Sequence, residues 1–213
     1  MIIKNPDSKR DNPFREVYDN VEFKTVLNHK DALPEFPYLV DIELTNQCNL
    51  KCVFCGQQAM TREKGFISDE VFKKATDECA LYKVPIRLIR FGEPFLHKKI
   101  IEYCKYIKSK SLPLHITSNG LVMTDSDINA LIDAEVDSFL FSFQGATREQ
   151  YEILRQNNQY DKLTSNILTM VRLRGNNPKP FIHISSTMTD ESQEEIDDFV
   201  NYWSRIVDSV GFG

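Results

Sequence analysis

Residues 38–58 read YLVDIELTNQCNLKCVFCGQQ. The first seven alternate Leu39, Ile42 and Leu44 with polar neighbours, with Val40 between them, which suits a first β-strand. Directly behind it Cys48, Cys52 and Cys55 fall within eight residues. Three thiolates on one short loop can bind three irons of a cubane and leave the fourth open to a chelating ligand. Two other readings compete. A closed zinc site takes four ligands, and the fourth would have to be His97, His115 or His183, none at the usual knuckle spacing. Cys52 and Cys55 also form a CxxC pair, but without the helix-start context of a redox pair.

Outward from that loop the pattern repeats. Helix signals at 68–82 (Phe72, Ala75, Cys79 and Tyr82 at helical spacing, Ser68 as N-cap), 98–110 and 125–135 alternate with strand signals at 85–91, 112–118 and 136–143. The pairs Thr124/Asp127 and Thr147/Gln150 fit capping boxes, the second opening a helix through Arg155. A further helix spans 161–174, a fifth strand 179–188, and a helix over 191–206 places Ile196, Phe199, Val200, Trp203 and Val207 on one face. SVGFG at 209–213 reads as a sixth strand. Strand and helix in strict alternation predict a parallel α/β sheet with right-handed crossovers, leaving a partial barrel and a doubly wound sheet both open. In either, chemistry belongs at the carboxyl ends of the strands. Residues 1–36, broken by Pro6, Pro13 and Pro34, form an N-terminal lead-in with a short helix near 14–28, and 37–213 form the core domain. Cys79 and Cys104 lie on apolar helix faces and read as core residues.

With 26 Lys and Arg against 31 Asp and Glu, the net charge of −5 argues against a broad nucleic-acid or anionic-membrane footprint. No stretch approaches the ~18 apolar residues of a membrane span, and the N-terminus has no signal-peptide core, so a cytoplasmic location is expected. A cysteine cluster in a reducing compartment favours metal binding over disulfides.

CNLKCVFC resembles the CxxxCxΦC signature of the radical S-adenosylmethionine (SAM) superfamily, with Phe54 as the aromatic Φ. FGEPFLH (91–97) resembles that family's GGEP segment, with Phe91 in place of the first glycine; ITSNG (116–120) and SFQG (142–145) resemble its polar strand ends. SFQGATREQYEILR continues as in the SPASM-associated branch, although no cysteine-rich C-terminal extension is present in the sequence. The resemblance implies a parallel (β/α)6 partial barrel whose sixth unit is incomplete. It also implies a [4Fe–4S] cluster on Cys48, Cys52 and Cys55. SAM would be held by Phe54 beside the adenine, by the backbone of Gly92, Glu93 and Pro94 at the amino group, by Ser118, Asn119, Ser142 and Gln144, and by Arg155 at the carboxylate. Gln144 stands where the family often has Asp.

The activity so implied is reductive cleavage of SAM to a 5′-deoxyadenosyl radical that takes hydrogen from a peptide, sugar or aminocyclitol. A flavodoxin- or ferredoxin-like protein would supply the electron. A zinc-stabilised binding module, and a degenerate member using the cluster only for electron transfer or sensing, are the alternatives. Because the sequence given stops within the sixth strand, a bare strand edge, self-association and slow, uncoupled SAM cleavage are expected, the alternative being that the lead-in, residues 1–36, folds across and supplies the cover.

Overall fold

A computed structural model of the chain describes residues 2–19 and 34–212. Its strands are β1 (Ile2–Lys4), β2 (Val40–Ile42), β3 (Ile86–Leu88), β4 (Leu114–Ser118), β5 (Ser138–Ser142), β6 (Phe181–Ser186) and β7 (Ser209–Phe212). The helices are α1 (Arg15–Asp19), α2 (Asp69–Tyr82), α3 (Ile100–Ser109), α4 (Asp125–Asp133), α5 (Arg148–Arg155), α6 (Tyr160–Arg174) and α7 (Gln193–Trp203). The part of the expected lead-in helix beyond Asp19 falls outside the described residues. The capping boxes of α4 and α5 form as the sequence predicts, and Ser68 caps α2. One detail of α2 differs: Thr76 is buried and Tyr82 exposed, because Tyr82 stacks on Phe36 rather than entering the core.

The sheet order is β1-β7-β6-β5-β4-β3-β2. Strands β2 to β7 are parallel and follow chain order, as unbroken right-handed crossovers require. Alternation then divides the side chains between two faces. Ile86, Leu88, Leu114, Ile116, Phe139, Phe141, Ile182, Ile184 and Val210 are fully buried and belong to the core that the helices complete. Their neighbours face inward: Asp41, Arg87, His115 and Ser138 pair in register in one layer, Thr117, Leu140, His183 and Ser209 in the next, and Ser142, Ser185 and Gly211 above them. A cavity of about 470 Å³ is lined at once by β1, α1 and residues from β3 to β7, so the open sheet curls around a central lumen. This is an incomplete parallel (β/α)6 barrel.

The expectation of a bare edge at the sixth parallel strand is corrected by β1. It pairs antiparallel with β7, Ile2 opposite Gly211 and Lys4 opposite Ser209. Asn5 continues the pairing, its N–H donating to Asp208 O (2.9 Å) and its amide to Val207 O (3.0 Å). The physical reason is a buried anchor. Asp208 accepts from Ser8 Oγ (2.7 Å), from the Ile182 N–H (2.7 Å) and from the Arg174 guanidinium, and both charged residues are inaccessible. Arg10 reaches the same carboxylate at 3.5 Å while donating to the carbonyls of Asn177 and Gly175. A buried ion pair is better tolerated when its remaining polar atoms find partners, and the lead-in supplies two for Asp208, Ser8 and Arg10.

Asp208→Ala leaves Arg174, Ser8 and the Ile182 N–H without their acceptor. It should destabilise the chain by about 3–5 kcal/mol, read from urea unfolding followed by the single tryptophan, the buried Trp203.

Candidate functional site

The cysteine loop leaves β2 and closes on itself through short-range hydrogen bonds. Thr45 Oγ1 donates to Gly65 O (2.6 Å), and the Asn46 side chain bonds Glu63 O and the Gly65 N–H (2.8 Å each). Gln57 Nε2 donates to Asn46 O (3.1 Å) and Gln58 Nε2 to Lys51 O (2.8 Å). Cys55 caps a 3₁₀ turn, Gly56–Ala59, its sulfur accepting the Gln57 N–H at 3.5 Å; Cys48 Sγ accepts the Leu50 N–H at the same distance. The far side of the loop docks on the end of α5, where the Val53 N–H donates to Leu154 O (3.0 Å).

The segment after β3 lies directly against this loop. A Cβ on Gly92 would sit 1.8 Å from Thr45 O and 2.9 Å from Gln47 O, so only glycine fits. The next N–H, of Glu93, donates to Gln47 O (2.8 Å). The Glu93 carboxylate is 2 % exposed and accepts from the Phe95 N–H (3.1 Å), Ser118 Oγ (2.8 Å) and the Asn119 N–H (2.8 Å). Burial drives its pKa up, and the donors offset this only partly. Asn119 in turn donates to Asn49 Oδ1 (2.9 Å) and points its amide at Cys48 Sγ (3.9 Å).

From β5 and α5 come Ser142 and Arg155. Arg155 is 5 % exposed, so it is not a solvated helix arginine. Its Nε donates to Phe143 O (3.0 Å), Nη2 to Ser142 Oγ (2.9 Å) and to the Ser142 carbonyl, and Nη1 to Cys52 Sγ (3.4 Å). The Phe54 ring, itself 43 % exposed, lies with its centroid 5.6 Å from the guanidinium.

All three cysteines, Phe54, Gly92, Glu93, Ser118, Asn119, Ser142 and Arg155 line one pocket of about 140 Å³. Pro94 and Gln144 are not in its lining. Pro94 opens a buried 3₁₀ turn, and the Gln144 amide bonds Thr187 O (2.8 Å), fastening β5 to the end of β6. The histidines that could complete a zinc site lie elsewhere. His115 bonds Ser138 and Thr117 (3.0 Å each), His183 bonds Ser209 (2.6 Å), and His97 accepts the Lys99 N–H (3.2 Å). Burial lowers His115 to about 3 and His183 to about 4, so both are neutral. Among the described residues no three His, Cys, Asp or Glu converge on a single ion. Thiolates that bind separate irons of a cubane need no common centre, so the donor set fits a cluster. Burial also pushes the Cys48 thiol up, and the neighbouring Glu93, Cys52 and Cys55 add to that. A positively charged iron–sulfur core would relieve this crowding of acidic groups.

Residues 42–202 match the family model described as the radical SAM superfamily. The chain belongs to that superfamily. Membership brings the family's cofactors, a [4Fe–4S] cluster and SAM. A cofactor-modifying protein for the tungsten-containing aldehyde ferredoxin oxidoreductase of Pyrococcus furiosus is 25% identical over 166 residues, 76% of this chain and 46% of that protein. The PqqA peptide cyclase of Rhizobium meliloti, from the SPASM-associated branch, is 30% identical over 118 residues, 53% of this chain and 30% of the cyclase. Among solved structures, Streptococcus suis SuiB bound to S-adenosylmethionine superposes with a TM-score of 0.70 at 18% identity, covering 92% of this chain and 44% of SuiB. The chain thus spans less than half the length of each. No helix among the described residues is long and apolar enough to cross a membrane.

The pocket also contains Leu50, Lys51, Gln57, Gln58, Arg90, Phe91 and Thr117, which sequence reasoning did not select. Gln57 and Gln58 follow the last cysteine directly, and Thr117 precedes Ser118 on the same strand end, so adjacency was the available signal. Arg90 had none; it lines the pocket while making a salt bridge to Asp41, outside the lining, at 2.7 Å.

Gly92→Ala should force the two loops apart, costing about 3 kcal/mol and most of the iron retained after anaerobic reconstitution. Gly65→Ala, whose Cβ would meet nothing within 4 Å, is the control and should keep both. Thermal melts and iron assays on the two variants check this.

Proposed function

We propose that this chain is a radical SAM enzyme whose cluster sits on Cys48, Cys52 and Cys55 and whose substrate is a peptide, ahead of a sugar or aminocyclitol. The observation that carries the reading is the pocket itself, where three cysteines from one loop meet the ends of β3, β4 and β5. When bound, the cluster supplies the single electron that splits SAM into methionine and a 5′-deoxyadenosyl radical able to take hydrogen from the substrate.

The protein's part is to bind, orient and exclude water. Cys48, Cys52 and Cys55 provide three thiolates and no fourth, which leaves one iron for SAM. Phe54 covers the outer side of the pocket and offers an aromatic face to adenine. Gly92 and Glu93 shape the wall that receives the amino group, with Pro94 in the buried turn behind it; the Glu93 side chain is fully engaged with Ser118, Asn119 and Phe95, so its role there is to fix the wall. Arg155 and Ser142 face the carboxylate end; with Nε and Nη2 committed to Phe143 and Ser142, the guanidinium offers its charge and the remaining Nη1 N–H there. Gln144 acts at one remove, by holding β5 to β6. Thr117 lines both this pocket and the lumen cavity, so a substrate group in the lumen lies next to the site of radical formation. A peptide is placed first because the PqqA cyclase is named for one. The electron would come from an external flavodoxin- or ferredoxin-like donor.

Anaerobically reconstituted chain should hold about four irons and four sulfides. With dithionite and SAM it should form 5′-deoxyadenosine and methionine in equal amounts. Replacing Cys48, Cys52 or Cys55 by Ala should abolish both cluster and cleavage. Cys79→Ala and Cys104→Ala should keep the iron, since those thiols are core residues that burial pushes up to about 11 and about 12. Stoichiometric zinc without iron would defeat the proposal; iron without SAM cleavage would leave an electron-transfer or sensing protein.

A further inference from the structure

We propose that Arg155 sets the reduction potential of the cluster, as a positioning residue acting through a charge-assisted N–H···S bond to Cys52. This rests on the reading that Cys48, Cys52 and Cys55 hold the cluster. It assigns Arg155 a task that is present before SAM arrives.

The three sulfurs are not served alike. Cys48 and Cys55 each accept the backbone N–H of the residue two positions on, Leu50 and Gln57, at 3.5 Å. Such bonds come from the local turn and are neutral, as is the longer contact of the Asn119 amide with Cys48 Sγ (3.9 Å). Cys52 accepts instead from Arg155 Nη1 at 3.4 Å, a donor 103 residues away in sequence and carrying a full positive charge. Both partners are 5–6 % exposed or less, so solvent screens the contact weakly.

The charge balance around Arg155 points the same way. Its other acceptors are the Phe143 carbonyl and the carbonyl and hydroxyl of Ser142, all neutral. Among the described residues it has no carboxylate within salt-bridge distance, unlike Arg174, the other buried arginine, which is paired with Asp208. The carboxylate that feels its charge, Glu93, makes no ion pair with it and is already engaged by Phe95, Ser118 and Asn119, so the group the guanidinium contacts is a thiol that becomes a cluster ligand. Three thiolates outweigh the positive charge of the iron–sulfur core, and reduction adds one more negative charge. A fixed cation next to one ligand therefore stabilises the reduced cluster more than the oxidised one and raises the potential. The geometry is held firmly enough to do this. Nε and Nη2 pin the guanidinium to the end of β5, Phe54 lies over it, and the Val53–Leu154 hydrogen bond fixes the loop to the helix that bears Arg155.

The test is a redox titration of the reconstituted chain without SAM, following the reduced cluster by electron paramagnetic resonance. Omitting SAM removes any contribution from a carboxylate contact. In Arg155→Gln the reduced-to-oxidised ratio at the parent's midpoint should fall about tenfold, a shift of about 59 mV to more negative potential for a one-electron couple. Arg155→Lys should shift less, since it keeps the charge and loses the fork. Arg148→Gln removes the same charge from the exposed side of the same helix and should titrate with the parent. Parent-like potentials in both Arg155 variants would overturn the inference while leaving the cluster assignment intact. A parent chain that binds no iron would overturn the assignment, and the inference with it, before any titration. Iron lost from both variants, with circular dichroism unchanged, would make Arg155 a retention clamp and overturn the tuning role.

Discussion

The site depends on one close approach, the backbone of Gly92 lying on the carbonyls of Thr45 and Gln47. It joins the loop after β2, which carries the cysteines, to the segment after β3. The buried Glu93 carboxylate then extends the join to β4 by accepting from Ser118 and Asn119. A carboxylate in that position is unfavourable in itself, as the upward shift of its pKa shows, and three donors from two strand ends are what make it tolerable. Because those donors have no other acceptor of that strength, the three strand ends are fixed relative to one another. Asn119 passes the constraint back to the cysteine loop through Asn49.

The two ends of the lumen are electrostatically different. At the carboxyl end lie three thiols, a buried carboxylate and a buried guanidinium, each compensated only in part by protein groups. Toward the amino end the inward layers are also polar, but their charges are paired. Arg87 makes a two-pronged contact with Asp41 (2.6 and 2.9 Å), and His115 and His183 are neutral and bonded to hydroxyls. That end needs no ligand to balance it. The open electrostatic account at the other end is what a charged cofactor would close.

The described part of the N-terminal segment, residues 2–19, contributes stability and shape and does not line the pocket. It covers β7, satisfies Asp208 through Ser8 and Arg10, and places Phe14 against His115 with ring centroids 5.5 Å apart. Tyr18 adds a hydroxyl to Arg87 and a ring face 5.7 Å from its guanidinium. The lead-in thereby walls the lumen from the side opposite the cysteines.

Alternating apolar strands and capped helices made the parallel α/β order legible in the sequence, because periodicity and capping are local. The cysteine spacing and the Gly–Glu–Pro segment were legible for the same reason: each is a contiguous run whose chemistry needs no distant partner to be recognised. What the sequence could not show is which contacts those residues make. Arg155 read as a carboxylate ligand on the resemblance alone, and only the packing of α5 on the cysteine loop buries it and turns it toward Cys52. Gln144 stood in a ligand position, yet the register of β5 with β6 commits its amide to Thr187. The edge of β7 read as bare because nothing local links Ile2–Lys4 to a strand some two hundred residues on; that pairing is decided by the buried Asp208–Arg174 pair, which exists only once the sheet has formed.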